Sequence, residues 1–278
     1  MSVGRGSDEQ SILILTRGLC LFRDGLEILH NVDLSLGQGL VTAISGPTGS
    51  GKTSLLLALS RLAEREDDCE VQGEILFKGR NINNPAEDAA AIRRSIAYLA
   101  PEPTPFNMSV RDNLLWAHKA GRRFRQKSDS RILDVGKDIQ AGGEALVERV
   151  LERVGLWVEI RDKLSRNALE LSPGQQQRLC IARALAAGAE VLLLDEPGRD
   201  LDPLSTGKLE AAIEDLAGTT SIVVATANTR QAARVSDRTC MLLDGQLVEE
   251  GETSEIFSAP HDPRTEAFIS GSLTGGTR

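Results

Sequence analysis

The sequence predicts an α/β fold: a mostly parallel sheet covered by helices on both faces, a smaller antiparallel sheet beside it, and a helical insert. Three observations predict it. The runs Leu40–Ile44, Val191–Leu194 and Ser221–Ala225 are short and almost wholly apolar, as strands buried on both faces are. The glycine-rich stretch Gly46–Thr53 joins the first of these runs to a leucine-rich helical segment, Ser54–Leu62. Strand and helix patterns then alternate again through the C-terminal third. At 278 residues the chain is long enough for one large domain or a core with a subdomain.

The elements follow in order. Met1–Gln10 and Ser272–Arg278 read as loose polar tails. Val32, Leu34 and Leu36 alternate with Asp33 and Ser35, the pattern of a half-buried strand. With Ser11–Leu15 and Glu74–Phe77 it gives the antiparallel sheet. Ile96–Ala100 is a short strand that runs into a turn rich in proline (Pro101, Pro103, Pro105). Helical segments are expected at Val110–Ala120 and Glu144–Val154. Between them Gly121–Gly143 is polar, with Arg122, Arg123, Arg125 and Lys127 clustered. A partner-binding patch is one reading, and a solvated loop is the one we adopt. Thr239–Leu243, the turn Asp244-Gly245 and Gln246–Glu249 form a two-residue hairpin.

Composition excludes several function classes. The net charge of -8 and pI of about 5.1 argue against a nucleic-acid reader driven by a basic field. Cys20, Cys69, Cys180 and Cys240 lack metal or disulfide spacing and read as reduced, mostly buried thiols. His30, His118 and His261 are too scattered in sequence to read as a ligand set. No apolar run is long enough to cross a bilayer, and the polar N-terminus does not resemble a signal peptide, so any membrane role would come through a partner.

The chemistry starts at Gly46-Pro47-Thr48-Gly49-Ser50-Gly51-Lys52-Thr53, which reads G-x-x-x-x-G-K-[ST], the phosphate-cradling P-loop. Backbone N–H groups of such a turn, with a helix N-terminus behind them, form an anion site. Lys52 would reach the β- and γ-phosphates of ATP, and the Thr53 hydroxyl would hold Mg²⁺. The run Val191–Leu194 ends in Asp195-Glu196-Pro197. An acid at the carboxyl end of a buried strand beside a P-loop is the expected Mg²⁺-holding carboxylate, which is Asp195. Glu196, one residue further, could polarise the attacking water. Upstream, Leu171-Ser172-Pro173-Gly174-Gln175 precedes an apolar-faced helix. Alone, this is a helix cap at Ser172 with proline just inside.

LSPGQ shortly before VLLLDEP, with a P-loop far upstream, resembles the nucleotide-binding subunit of ABC transporters, and the resemblance runs from about Ile12 to Gly271. Residues 103–114, 174–187, 230–239 and 251–271 are similar to the ATP-binding subunit of bacterial phosphate importers. This resemblance implies a P-loop ABC cassette over 11–271. It would have a RecA-like core (about 11–100 and 171–271), an antiparallel β subdomain and a helical subdomain at about 101–170. It further implies two cassettes, expected here as a homodimer, that sandwich two ATP molecules. Ser172, Gly174 and Gln175 would touch the γ-phosphate held by the partner cassette's loop, and Asp202 would face the opposing site. Phe22 lies near the position of an aromatic that stacks on adenine. Pro105–Trp116 would adjoin the surface that grips two integral-membrane permease subunits. An extracytoplasmic phosphate-binding protein would act indirectly. The chain would sit at the cytoplasmic face of the plasma membrane, peripherally, and powered phosphate uptake would be its role.

Three departures from the family pattern stand out. The family's glutamine after the Ile96–Ala100 strand is replaced by Pro101, and its histidine after Ser221–Ala225 by Ala227. Pro173 replaces the first glycine of the signature turn. Proline lacks the side-chain amide, and a methyl group cannot bond a phosphate. Because phosphoryl transfer depends on such positioning, impaired hydrolysis with retained ATP binding is expected. A hydrolysis-poor regulatory module and an importer subunit for another anion stay open beside the leading reading.

Overall fold

The structure is a computed structural model and describes residues 12–125 and 143–272. Its centre is a six-stranded sheet in the order β11-β10-β4-β9-β8-β7. The parallel strands are β4 (Val41–Ser45), β7 (Ile96–Leu99), β8 (Val191–Asp195), β9 (Ser221–Thr226) and β10 (Arg238–Leu243). The antiparallel edge strand β11 (Gln246–Glu252) joins β10 through Asp244-Gly245, both at positive φ, the expected hairpin.

Alternate residues of the central strands enter two different cores. Leu192, Leu194, Ile222 and Val224 face a cluster formed with α3 (Val110–Arg125), α4 (Glu144–Arg153), α6 (Pro173–Ala187) and α7 (Pro203–Leu216). Val191, Leu193, Val223 and Ala225 face the other cluster, with α1 (Lys52–Leu59), α2 (Ala89–Ser95) and the second sheet. Burial on both faces is why these strands carry no polar alternation. A fully buried Leu or Ile contributes about 1.5–3 kcal/mol, so this register is strongly fixed.

The second sheet runs β2-β1-β5-β6, with β3 also on β1, from β1 (Ile12–Arg23), β2 (Leu26–Val32), β3 (Ser35–Gly37), β5 (Cys69–Phe77) and β6 (Arg80–Asn81). The single strand expected over Val32–Leu36 is broken. The Thr16 hydroxyl donates to Val32 O (2.8 Å) and accepts from Leu34 N (2.9 Å), and Asp33 Oδ1 accepts from Gly18 N. Side-chain oxygens, the buried Thr16 hydroxyl and the exposed Asp33 carboxylate, thus take over ladder bonds at the break.

The helical insert also differs at one place. Gly121 to Arg125 continue α3 instead of starting a loop, so Arg122, Arg123 and Arg125 lie on that helix. Lys127 and the rest of the basic stretch fall outside the described residues, as do the chain ends at 1–11 and 273–278. Of the cysteines, Cys180 and Cys240 are buried while Cys20 and Cys69 are half-buried, and all four are free thiols.

Candidate nucleotide-binding site

Parallel pairing aligns the carboxyl ends of three neighbouring strands. Ser45 pairs with Thr226, and Ala225 with Asp195, so the loops that follow β4, β9 and β8 open onto one edge. This edge is where open α/β sheets bind ligands. From Ser45 the chain enters Gly46–Thr53. Gly46 is packed so tightly that a Cβ would stand 2.0 Å from Leu242 O. Gly49 and Gly51 adopt φ of 85° and 99°, conformations that favour glycine. Gly51 caps α1 without a side-chain hydrogen bond, so the loop leaves the helix's first N–H groups to an anion. Pro47, Thr48, Gly49 and Ser50 form the tip of the turn, and Ser50 N closes it onto Pro47 O at 3.2 Å.

Lys52 is only 5 % exposed and bends back over the loop. Its ammonium donates to Gly46 O and Pro47 O, both at 2.9 Å, and stands 3.5 Å from Glu196 Oε1. Burial pulls its pKa below the ordinary ammonium value, with the Glu196 and Asp195 carboxylates opposing the shift. Thr53 Oγ1 donates to Asp195 Oδ2 at 2.8 Å, which ties the loop to the end of β8. Asp195 is 1 % exposed, and its Oδ1 has no hydrogen-bond partner; Ser45 Oγ and Ser50 Oγ are likewise buried and unpaired. A buried carboxylate oxygen without a donor, beside a threonine hydroxyl, fits a hard divalent cation.

Glu196 follows with φ 42°, a left-handed conformation that costs about 1–3 kcal/mol for such a residue and recurs at functional sites. Its carboxylate accepts from Ala227 N at 3.1 and 3.3 Å. The backbone at the departed histidine position therefore holds the acid, while the Ala227 methyl offers the cleft no polar group. Pro101 stands two residues after the last residue of β7 and carries no donor or acceptor side chain.

Ser172, Gly174 and Gln175 stand elsewhere, at the N-terminus of α6. Ser172 Oγ accepts from Gln175 N (3.4 Å) and Gln175 Oε1 accepts from Ser172 N (3.2 Å), a capping box with Pro173 in the first helical position. The proline thus removes an N–H that the helix leaves unpaired anyway. Gly174 lies against α7, where a Cβ would meet Ser205 Cβ at 2.8 Å. Asp202 caps α7, accepting from Leu204 N and Ser205 N at 3.0 Å each. Among the described residues no hydrogen bond or ion pair joins this group to Gly46–Thr53 or Asp195–Glu196. Phe22 is half-buried in β1, opposite Glu27 and Glu70. The loop touches that sheet at Leu29 and Ile28, against which Gly51 packs.

Two residues went unread in the sequence, one in this site and one beside the N-terminus of α6. The Tyr98 hydroxyl on β7 donates to Asp195 Oδ2 at 2.9 Å. Burial, then the adjacent Asp195 carboxylate, raise the phenol's pKa well above its ordinary value. Glu159, at α5 (Trp157–Ile160), accepts from Gln175 Nε2, Arg178 Nη2 and Lys208 Nζ, each at 2.9 Å. Burial alone would raise its pKa, but these donors outweigh it and hold the carboxyl at about 2. A tyrosine on the strand beside VLLLD was the signal for the first; the second carries none that spacing could reveal.

A glycine cradle at a helix start, a buried lysine and a threonine–carboxylate pair on one sheet edge define a P-loop nucleotide-binding protein. The sequence profile of the ABC transporter family matches residues 29–199, and the chain belongs to that family. It is 38 % identical over 263 residues to the phosphate import ATP-binding protein PstB of Borreliella afzelii, covering 95 % of this chain and 96 % of that protein. With phosphate import ATP-binding protein PstB 2 of Listeria monocytogenes it shares 40 % over 258 residues, 93 % of this chain and 90 % of that one. Among solved structures, cbiO1 of Clostridium perfringens, part of the ABC transporter complex cbiONQ, superposes with a TM-score of 0.71 at 22 % identity. That superposition covers 95 % of this chain and 98 % of the other, and it speaks for the fold.

Proposed function

We propose that the chain is the ATP-binding and ATP-hydrolysing subunit of an importer that carries phosphate across a membrane. The observation that carries the reading is the Thr53–Asp195 contact beneath a P-loop whose lysine is poised within it, in a chain that aligns along nearly its whole length with phosphate-import ATP-binding proteins. The loop N–H groups and Lys52 would bind the ATP phosphates. Thr53 and Asp195 would hold Mg²⁺, which when bound neutralises phosphate charge and orients the γ-phosphoryl group. Glu196 would take the proton of the attacking water.

Hydrolysis is slow in this reading. Ala227 supplies only a backbone N–H, spent on Glu196, and Pro101 supplies nothing. Loss of one polar group aimed at developing charge typically costs about 10²–10³ in rate. A regulatory cassette that binds ATP and rarely turns over is the second reading, and the Ala227–Glu196 contact is what favours it.

No helix among the described residues is long and apolar enough to cross a membrane. Membrane subunits would therefore supply the path. Their docking surface would be the groove of about 400 Å³ between α3 and β7, where Phe106 and the half-exposed Trp116 stack edge to face. A second cassette, an extracytoplasmic phosphate-binding protein and the cytoplasmic face complete the assembly, with no nucleic acid involved. The test is phosphate uptake by vesicles carrying the assembled transporter. ATP-dependent phosphate accumulation that disappears with Lys52→Ala is expected; accumulation of another anion in preference to phosphate refutes the substrate.

A further inference from the structure

We infer that Tyr98 is a positioning residue for Asp195, so that the site's affinity for MgATP, but not for metal-free ATP, depends on one phenolic hydrogen bond. The inference rests on reading Thr53 and Asp195 as the metal-holding pair. A carboxylate can turn about its terminal torsion, which is broad and roughly two-fold. Here one oxygen is doubly occupied: Asp195 Oδ2 accepts from Tyr98 at 2.9 Å and from Thr53 at 2.8 Å. The other, Oδ1, is buried and unpaired. Two donors on one oxygen decide which oxygen stays available.

The two donors are not equivalent. Thr53 belongs to the same expected metal shell, so it cannot fix Asp195 independently of the cation. Tyr98 comes from a different strand, and its place is set by the β7–β8 ladder, where it pairs with Leu193. It reaches the site from β7, the strand that precedes Pro101, whose side chain offers no polar group. Residue 98 is also among those bordering the groove with Phe106, Trp116 and Arg183.

Tyr98 is the chain's one tyrosine, which makes the test specific. ATP binding by the full chain and by Tyr98→Phe is measured by calorimetry in EDTA and in excess Mg²⁺. Losing a hydrogen bond to a metal ligand typically costs about 10–100-fold in metal affinity, so we expect MgATP affinity to fall about tenfold and metal-free affinity to stay within about twofold. In wild-type chain labelled with ring-¹³Cζ tyrosine, the single resonance should move when Mg²⁺ is added to the ATP complex. The NMR arm needs no variant and stands even if Tyr98→Phe does not fold. Equal losses in EDTA and Mg²⁺, no loss in either, or a resonance that stays fixed on adding Mg²⁺ overturns the proposal. Failure of the underlying reading shows instead in the wild type. A chain that binds ATP equally with and without Mg²⁺, or not at all, removes the metal or nucleotide site and the proposal with it.

Discussion

Ala227→His should accelerate ATP hydrolysis. Position 227 is half-buried at the end of β9, and its backbone is held without help from its side chain. Asn228 N donates to Thr226 Oγ1 at 3.1 Å, and the Asn228 side chain caps α8 (Thr229–Val235) by accepting from Arg230 N at 3.1 Å and Gln231 N at 3.2 Å. An imidazole there adds a donor toward the phosphates while Ala227 N keeps Glu196 in place. One such donor is worth about 10²–10³ in rate; with Pro101 still present, and effects within one site not additive, we expect a gain of about 10–100-fold. Stability should change by no more than about 0.5 kcal/mol. The assay is steady-state phosphate release at saturating MgATP for wild type, Ala227→His, Glu196→Gln and the double variant. A gain under about threefold with ATP binding intact would refute the reasoning, as would a gain that survives Glu196→Gln, because the donor is argued to act only with that base.

The other predictions test separate parts of the account. Lys52→Ala removes a buried ammonium already placed over the loop, and ATP affinity measured by equilibrium binding should fall by about 100-fold or more. Gly46→Ala puts a methyl group 2.0 Å from the Leu242 backbone oxygen and 2.9 Å from Ser50 Oγ; urea unfolding should show a loss of about 3 kcal/mol or an unfolded chain. Glu159→Gln leaves Arg178 and Lys208 without their carboxylate and should cost about 1–3 kcal/mol at neutral pH. Because the folded pKa lies below the ordinary 4.5, the carboxylate stabilises above that value and its contribution is lost as pH falls toward 2. The stability gap between wild type and variant should therefore close across that window.

Much of this was legible because local chemistry and topology agree. The P-loop stands between a buried strand and a helix, and VLLLD ends on the same sheet edge, so spacing alone assembled Lys52, Thr53, Asp195 and Glu196. The hairpin at Asp244-Gly245 was readable from its turn residues. The break in Val32–Leu36 was not, since it is made by Thr16, sixteen residues upstream and on another strand. Nor was the extension of α3, whose charged last turn looks like loop. Tyr98 and Glu159 act through contacts distant in sequence, 97 residues to Asp195 and 49 to Lys208. Strand alternation places Tyr98 on a face but cannot name what it touches. Gln175 was expected at a phosphate, and the structure shows both ends of its side chain engaged within its own chain, with Ser172 and Glu159.

The most direct test of the account is one experiment on purified chain assembled with its membrane partners: MgATP binding and ATP turnover, each for wild type and for Glu196→Gln. The account predicts that both bind MgATP, that wild type turns over more slowly than about 1 per second, below the usual enzyme range, and that the variant abolishes even this. A chain that does not bind MgATP, or one that hydrolyses it at about ten per second or faster with Pro101 and Ala227 in place, contradicts it.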